Sequence, residues 1–220
     1  MQIPRSATPL KSAGTANILL PSLQVRLGLA AVSCGFSLLE VVLPFLYEFL
    51  ALLDGLVTFV VLLVDLLTIV LSLIWLYQVH SDLKRFYSDY PITPGESLAR
   101  FMIPFYNIWG IWNTLATIAG RLKSDHNDEI RQQGEIVQSQ LPLMYIVNAL
   151  SIVLTRAAFQ QALNNAEAVS PVILLTTVVN LGLAYILLDM GKAMIHAMNL
   201  KASSRNTPTY TVDDMPPTVE

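Results

Sequence analysis

Four long apolar runs divide the chain, and each is long enough to cross a lipid bilayer. The runs occupy residues 27–46, 56–77, 142–160 and 171–190. A helix rises about 1.5 Å per residue, so about 20 apolar residues cross the ~30 Å hydrocarbon layer. Ser170 and Pro171 predict the start of the fourth helix, because Ser caps free N–H groups and Pro suits the first helical position. The pattern predicts an all-α, polytopic membrane protein with four transmembrane helices.

The runs pair into two hairpins on either side of a long polar stretch. We predict an N-terminal segment (1–26), a transmembrane hairpin (27–77), a loop (78–141), a second hairpin (142–200) and a disordered tail (201–220). The hairpins are predicted to close through short links, an acidic one around residues 48–55 and another around residues 161–169.

The distribution of positive charge predicts the orientation. Of the 13 Lys and Arg residues, 12 lie before the first run, between the second and third, or after the fourth, and only Arg156 does not. Loops rich in Lys and Arg remain in the cytoplasm. Both termini are therefore predicted to be cytoplasmic.

A fifth apolar segment, residues 101–119, is predicted not to cross the membrane, because a crossing would distribute the basic residues almost evenly between the two sides. As a helix it has an apolar stripe of Phe105, Ile108, Trp109, Trp112, Leu115 and Ala119 and a polar stripe of Asn107, Gly110, Thr114, Thr117 and Arg121. Aromatic residues favour the headgroup level, where the flanking Arg100 and Arg121 meet anionic lipid. Two alternatives stay open: an amphipathic helix on the membrane, or a re-entrant element packed on the protein's own helices.

A helix start is predicted immediately before this segment. The residues Thr93-Pro94-Gly95-Glu96 form a capping box, with a hydroxyl at the cap and a carboxylate three residues later. Pro104 is then expected to interrupt the short helix, because Pro lacks an N–H group and clashes with the preceding turn.

The same region resembles a known family. The residues that carry the resemblance are Trp75-Leu76-Tyr77, His80, Asp82-Leu83, Tyr90-Pro91-Ile92-Thr93-Pro94-Gly95 and the run from Arg100 to Gly110. As a set they are similar to domain of unknown function 4328, a family of bacterial multi-pass membrane proteins, over about residues 56–122. The resemblance implies a bacterial inner-membrane protein and carries no activity, ligand or catalytic residue.

Ionisable residues inside the apolar runs form the candidate polar cluster. Such residues are costly in a bilayer and usually have a partner or a purpose. Counting residues along each helix places Glu40, Asp65 and Arg156 in the outer half of the membrane. We expect Arg156 to pair with Asp65, and with Glu40 nearby. The pair would act either as a fixed structural contact between helices or as part of a proton or ion pathway.

Catalytic and metal-binding patterns are not found in the sequence. His80 near Asp82, and His126 among Asp125, Asp128 and Glu129, have no fixed ligand spacing, and the acidic run is typical of a solvated loop. Cys34 lies in an apolar run, which disfavours a reactive thiolate. The net charge of −3 provides no basic field for nucleic acid. We therefore predict no catalytic residue, no metal, no cofactor and no nucleic-acid partner.

The expected function follows from these exclusions. We expect a non-enzymatic accessory or scaffold protein whose partners are the lipid bilayer and either another membrane protein or further copies of the same chain. The alternative is a small transporter or channel subunit with a polar pathway near Arg156, Asp65 and Glu40.

Overall fold

The structure, a computed structural model, describes residues 10–164 and 171–206, without the side chains of residues 104–108, 162, 164, 205 and 206. All secondary structure in these ranges is α-helical: α1 (Lys11–Val42), α2 (Pro44–Phe86), α3 (Pro94–Met102), α4 (Pro104–Lys123), α5 (Asp128–Asn164) and α6 (Pro171–Asn206). The helices α1, α2, α5 and α6 are long and apolar enough to cross a membrane. The predicted fold class is confirmed.

The turn between α1 and α2 consists of a single residue, Leu43. Its backbone is non-helical (φ −136°, ψ 64°), as expected before a proline, and Pro44 then opens α2 at its first position. The predicted acidic link at residues 48–55 is wrong, because these residues lie inside α2.

The helices also extend beyond the apolar runs into the predicted polar segments. The N-terminal segment contains the first part of α1, and the predicted loop at 78–141 is mostly helical. The capping box at Thr93 is confirmed, as is the interruption before Pro104, where Ile103 has extended backbone. Pro171 opens α6, which continues through residues 201–206, so the disordered tail predicted from residue 201 is wrong over these residues. Ser170 and residues 207–220 lie outside the described residues.

The four long helices pack in the order α2, α1, α6, α5. At one end of the long helices, α3 packs on α2, α4 packs on α3, and α5 packs on α4, so the two short helices connect the first and last members of the row. We call this end the base; it also holds the starts of α1 and α5 and the ends of α2 and α6. The opposite end, which contains the Leu43 turn, is called the far end.

The buried core is concentrated at the base. Its members with no exposed surface are Val79, Leu83, Ile118, Ala119, Leu122, Ile130, Val137 and Ala197. Beyond the base the long helices carry exposed apolar side chains, on α5 from Leu143 to Leu163. That stretch is about 30 Å long, the thickness of a bilayer's hydrocarbon core. The exposed apolar surface therefore has the dimensions of a lipid-facing surface.

Candidate functional site: buried polar groups at the base

The predicted cluster of Glu40, Asp65 and Arg156 does not assemble within one chain. Asp65 on α2 instead accepts a hydrogen bond from Arg26 on α1, with 2.6 Å between Oδ1 and Nε. Arg156 is exposed on α5, and α1 and α6 lie between α5 and α2 in the row. Glu40 is half-buried near the Leu43 turn. The predicted pairing of Arg156 with Asp65 is therefore wrong.

The error has a simple physical cause. Counting residues gives a depth along each helix axis, but it does not tell which helices are neighbours or which way a side chain points. The apolar run that begins at residue 27 places Arg26 before the membrane, yet Arg26 lies well inside α1. The observed contact joins α1 to α2, which are also neighbours in the sequence. It acts as a fixed contact within the first hairpin.

The predicted interfacial segment is mostly packed on the protein. Arg100 is buried and pairs with Glu96, and Arg121 donates to Asp89 with 2.7 Å between Nη2 and Oδ2. The ring of Trp112 meets Tyr145 of α5 edge-on, with 5.2 Å between ring centroids.

Trp109 is the exception among these residues, with 68% of its surface exposed. Met102 and Ile103, at the junction of α3 and α4, are also exposed. The Phe105 side chain lies outside the described residues. Most of the described side chains of the segment therefore pack on the protein's own helices, whereas Met102, Ile103 and Trp109 are exposed. Contact of these residues with the membrane stays a prediction.

The predicted faces of α4 are only partly correct. Leu115 and Ala119 of the apolar stripe are buried, but so are Gly110 and Thr114 of the polar stripe. The reason is that α4 packs between α3 and α5 and so buries two sides. A Cβ at Gly110 would lie 2.6 Å from the Arg100 carbonyl oxygen, so only glycine permits this approach of α3.

A group of buried polar side chains lies where α2, the linker after α2 and α3 meet. His80 of α2 and Tyr90 of the linker pack edge-on, with 5.6 Å between ring centroids. The Nδ1 of His80 donates to the Leu76 carbonyl oxygen at 2.9 Å, which leaves Nε2 as an acceptor in the neutral ring. The Arg100 guanidinium is close enough to interact electrostatically with both His80 and Tyr90. We call His80, Tyr90 and Arg100 the base triad.

Asp82 caps the start of α1 from another helix. Its carboxylate is fully buried and accepts hydrogen bonds from the backbone N–H groups of Lys11 and Ser12 and from the Ser12 hydroxyl. The first N–H groups of a helix have no partner within the helix, and a carboxylate there is also favoured by the helix dipole. Asp82 therefore connects the end of α2 to the start of α1.

Asp125 joins three elements of the base. Its carboxylate accepts hydrogen bonds from the Tyr87 hydroxyl and from Lys201 Nζ, both at 2.5 Å. Burial alone would raise the pKa of Asp125, but the hydrogen bonds from Lys201 and Tyr87 outweigh this effect and hold the pKa below its ordinary value. The expected solvated loop is wrong at this position, because Asp125 is buried.

The hydrogen bonds of these buried carboxylates connect helices to one another. His80 and Asp82 have different partners, and no group of three metal-ligating side chains occurs among the described residues. Further interhelical contacts join Ser151 to Asn180 and Gln140 to Asp189, both between α5 and α6. Such hydrogen bonds are common between membrane helices.

Several of these residues stand out in the sequence, but their contacts do not follow from it. His80, Asp82, Tyr90 and Arg100 all belong to the set that carries the family resemblance. The signal available was that set of polar and aromatic residues around the end of α2. No spacing rule could have indicated that Asp82 caps a helix that begins about 70 residues earlier.

No family model matches this chain, and neither the curated proteins nor the solved structures contain a match. The resemblance to domain of unknown function 4328 stays a prediction.

Proposed function

We propose that this membrane protein is a non-enzymatic accessory or scaffold protein that engages lipid, or a partner within the membrane, through surfaces displayed on a fixed base. In this proposal it lies in a bacterial inner membrane with both termini in the cytoplasm. That orientation rests on the distribution of Lys and Arg. The base then faces the cytoplasm.

The observation that carries the proposal is the apolar surface at the junction of α3 and α4. Met102, Ile103 and Trp109 are exposed there by 67%, 51% and 68%. These side chains lie outside the four candidate spans but at the same end of the molecule as most of the basic residues. Trp favours the level of the lipid headgroups, so this surface suits contact with the membrane interface.

The surroundings of this surface are firmly held. Gly110 allows close contact between α3 and α4, and the Trp112 ring packs on Tyr145 of α5. The capping box at Thr93 fixes the start of α3. A rigid support of this kind preserves the position of the exposed side chains, as a scaffold requires.

Tryptophan fluorescence tests the contact with lipid. The protein is reconstituted in vesicles of phosphatidylcholine and phosphatidylglycerol that contain a lipid spin-labelled at the headgroup. We expect Trp109→Phe to remove most of the quenchable emission, because Trp109 is exposed to the interface. The matched variant Trp75→Phe removes a buried indole and should leave quenching nearly unchanged. Equal quenching in both variants would reject lipid contact at this surface.

The alternative function, a small transporter or channel subunit, lacks a supporting observation. The pathway expected near Arg156, Asp65 and Glu40 is not formed by one chain, since Asp65 pairs with Arg26 instead. An oligomer would have to supply the remaining polar groups. The scaffold therefore remains the leading proposal.

A further inference from the structure

The base triad contains buried polar atoms that no described residue satisfies. Arg100 directs Nη2 to Glu96, but its Nε and Nη1 have no hydrogen-bond partner. The Tyr90 hydroxyl and His80 Nε2 are likewise without partners among the described residues. His80, Tyr90 and Arg100 are each more than nine-tenths buried. Folded proteins leave few buried polar groups unpaired, because each one lowers the free energy of unfolding, and a charged group lowers it more.

The unsatisfied atoms are mainly donors around a permanent positive charge. Arginine remains protonated in proteins and offers only donors. Burial raises the pKa of Tyr90, so its hydroxyl keeps its proton and donates as well. His80 Nε2 adds one acceptor, which suits a ligand oxygen that itself carries a proton.

The charges nearby also favour an anion. Arg100 and Arg121 both act on the Tyr90 hydroxyl as positive charges, and they pair with Glu96 and Asp89, respectively. The Glu96 side chain is 44% exposed, so water weakens its attraction for Arg100, while the guanidinium is largely buried.

We propose that the base triad binds an oxyanion of the phosphate class, with Arg100 and Tyr90 as donors and His80 as an acceptor for a protonated oxygen. Phosphate oxygens accept several hydrogen bonds at once, and arginine is the preferred residue for recognising them. The group could be supplied by inorganic phosphate or by the headgroup of an anionic lipid. This site does not depend on the proposed scaffold function.

Gly110 positions the site. A Cβ at position 110 would lie 2.6 Å from the Arg100 carbonyl oxygen and 2.8 Å from its Cβ, so glycine at this position lets α4 approach the backbone from which the guanidinium extends. Thr114 lies one turn further along the same face of α4, and its buried hydroxyl also has no partner among the described residues. The donors are therefore held in place before a ligand arrives.

Titration of the full-length protein in detergent with inorganic phosphate tests the proposal, with chloride at matched ionic strength as the reference. We expect saturable binding and a raised melting temperature with phosphate. Tyr90→Phe removes one hydroxyl and keeps the packing, so it should weaken binding about tenfold or more. Arg100→Gln should abolish binding. The matched controls Tyr185→Phe and Arg131→Gln alter an exposed tyrosine and a surface ion pair, and should bind as the unmodified protein does.

A second arm distinguishes the two sources of the phosphate group. Native mass spectrometry is carried out with short-chain phosphatidic acid and, as the uncharged comparison, phosphatidylcholine. Retention of phosphatidic acid that Tyr90→Phe weakens, without binding of inorganic phosphate, assigns the site to a lipid headgroup; the reverse result assigns it to free phosphate. Absence of saturable binding in both arms, or equal binding by Tyr90→Phe and Tyr185→Phe, would overturn the proposal.

Discussion

The base and the far end of the molecule are built from the same long helices, but their apolar side chains are buried to very different extents. At the base, Leu83 of α2 has no exposed surface and lies among buried residues from the other helices. Towards the far end of the same helix, Leu52 is 78% exposed. In water, burial of apolar surface drives helices together, whereas lipid solvates such surface as well as another helix does. The base is therefore packed like a water-soluble protein, and the far end is arranged for contact with lipid.

The two ends also differ in how far apart in sequence their hydrogen-bonded residues are. At the base, Asp82 and Asp125 each accept several hydrogen bonds and join elements that are distant in sequence. Near the far end, the Tyr47 hydroxyl donates to Asp54 within the same helix, with 2.8 Å between the oxygens. The contacts of Asp82 and Asp125 thus reinforce the end that already has the core, whereas Arg26–Asp65 and Ser151–Asn180 join pairs of long helices beyond it.

Thiol labelling provides the largest expected contrast between the two ends. In a Cys34→Ala background, single cysteines are introduced as Glu48→Cys near the far end and Ser124→Cys at the base; both positions are exposed. Because basic residues surround the base, we expect a membrane-impermeant reagent to label position 48 in intact cells and position 124 only after lysis. Labelling of position 124 in intact cells would reverse the proposed orientation.

Two matched substitutions in α2 compare the packing of the two ends. Leu83→Ala should lower the free energy of unfolding by about 2–5 kcal/mol, because it leaves a cavity in the core. Leu52→Ala should change it by less than about 0.5 kcal/mol, since the side chain touches little of the protein. Equilibrium unfolding in mixed detergent micelles measures both values. A large loss with Leu52→Ala would show that a second chain covers the far end.

Acidity should weaken the base through Asp125. The folded-state pKa of this carboxyl lies below its ordinary value, so the stability it contributes is fully present above the pKa of the unfolded chain, about 4, and is lost as the pH falls through the folded-state pKa. Melting temperatures in detergent between pH 7 and pH 3 measure the effect. Asp125→Asn removes the titrating group, so its melting temperature should fall less steeply with acid. Parallel curves for the two proteins would assign the acid sensitivity to other carboxylates.

The accuracy of the sequence predictions followed the range of the interactions involved. The four long helices, the capping box at Thr93 and the break before Pro104 depend on residues within one or two turns of each other, and all were predicted correctly. The Leu43 turn also depends on local residues, but Pro44 lies inside an apolar run. The turn was therefore predicted at the acidic residues 48–55 instead.

Contacts between helices could not be predicted in this way. The partner of Asp65, the burial of Asp125 and the burial of Thr114 all depend on which helices are neighbours and how each is rotated about its axis. Hydropathy contains little of this information for helices that are apolar on most sides. The residues of the base triad belong to the set that carries the family resemblance, and that set gave no indication that their side chains are buried.

The cap that Asp82 provides also has a consequence for the order of events during synthesis. The backbone N–H of Ser12 and the carboxylate that accepts its hydrogen bond are separated by 70 residues. At about 5–20 residues per second, a ribosome needs roughly 4–14 s to make that stretch of chain. The first turn of α1 is therefore made well before its cap exists, and its completion must wait until α2 has been synthesised and has folded back beside it.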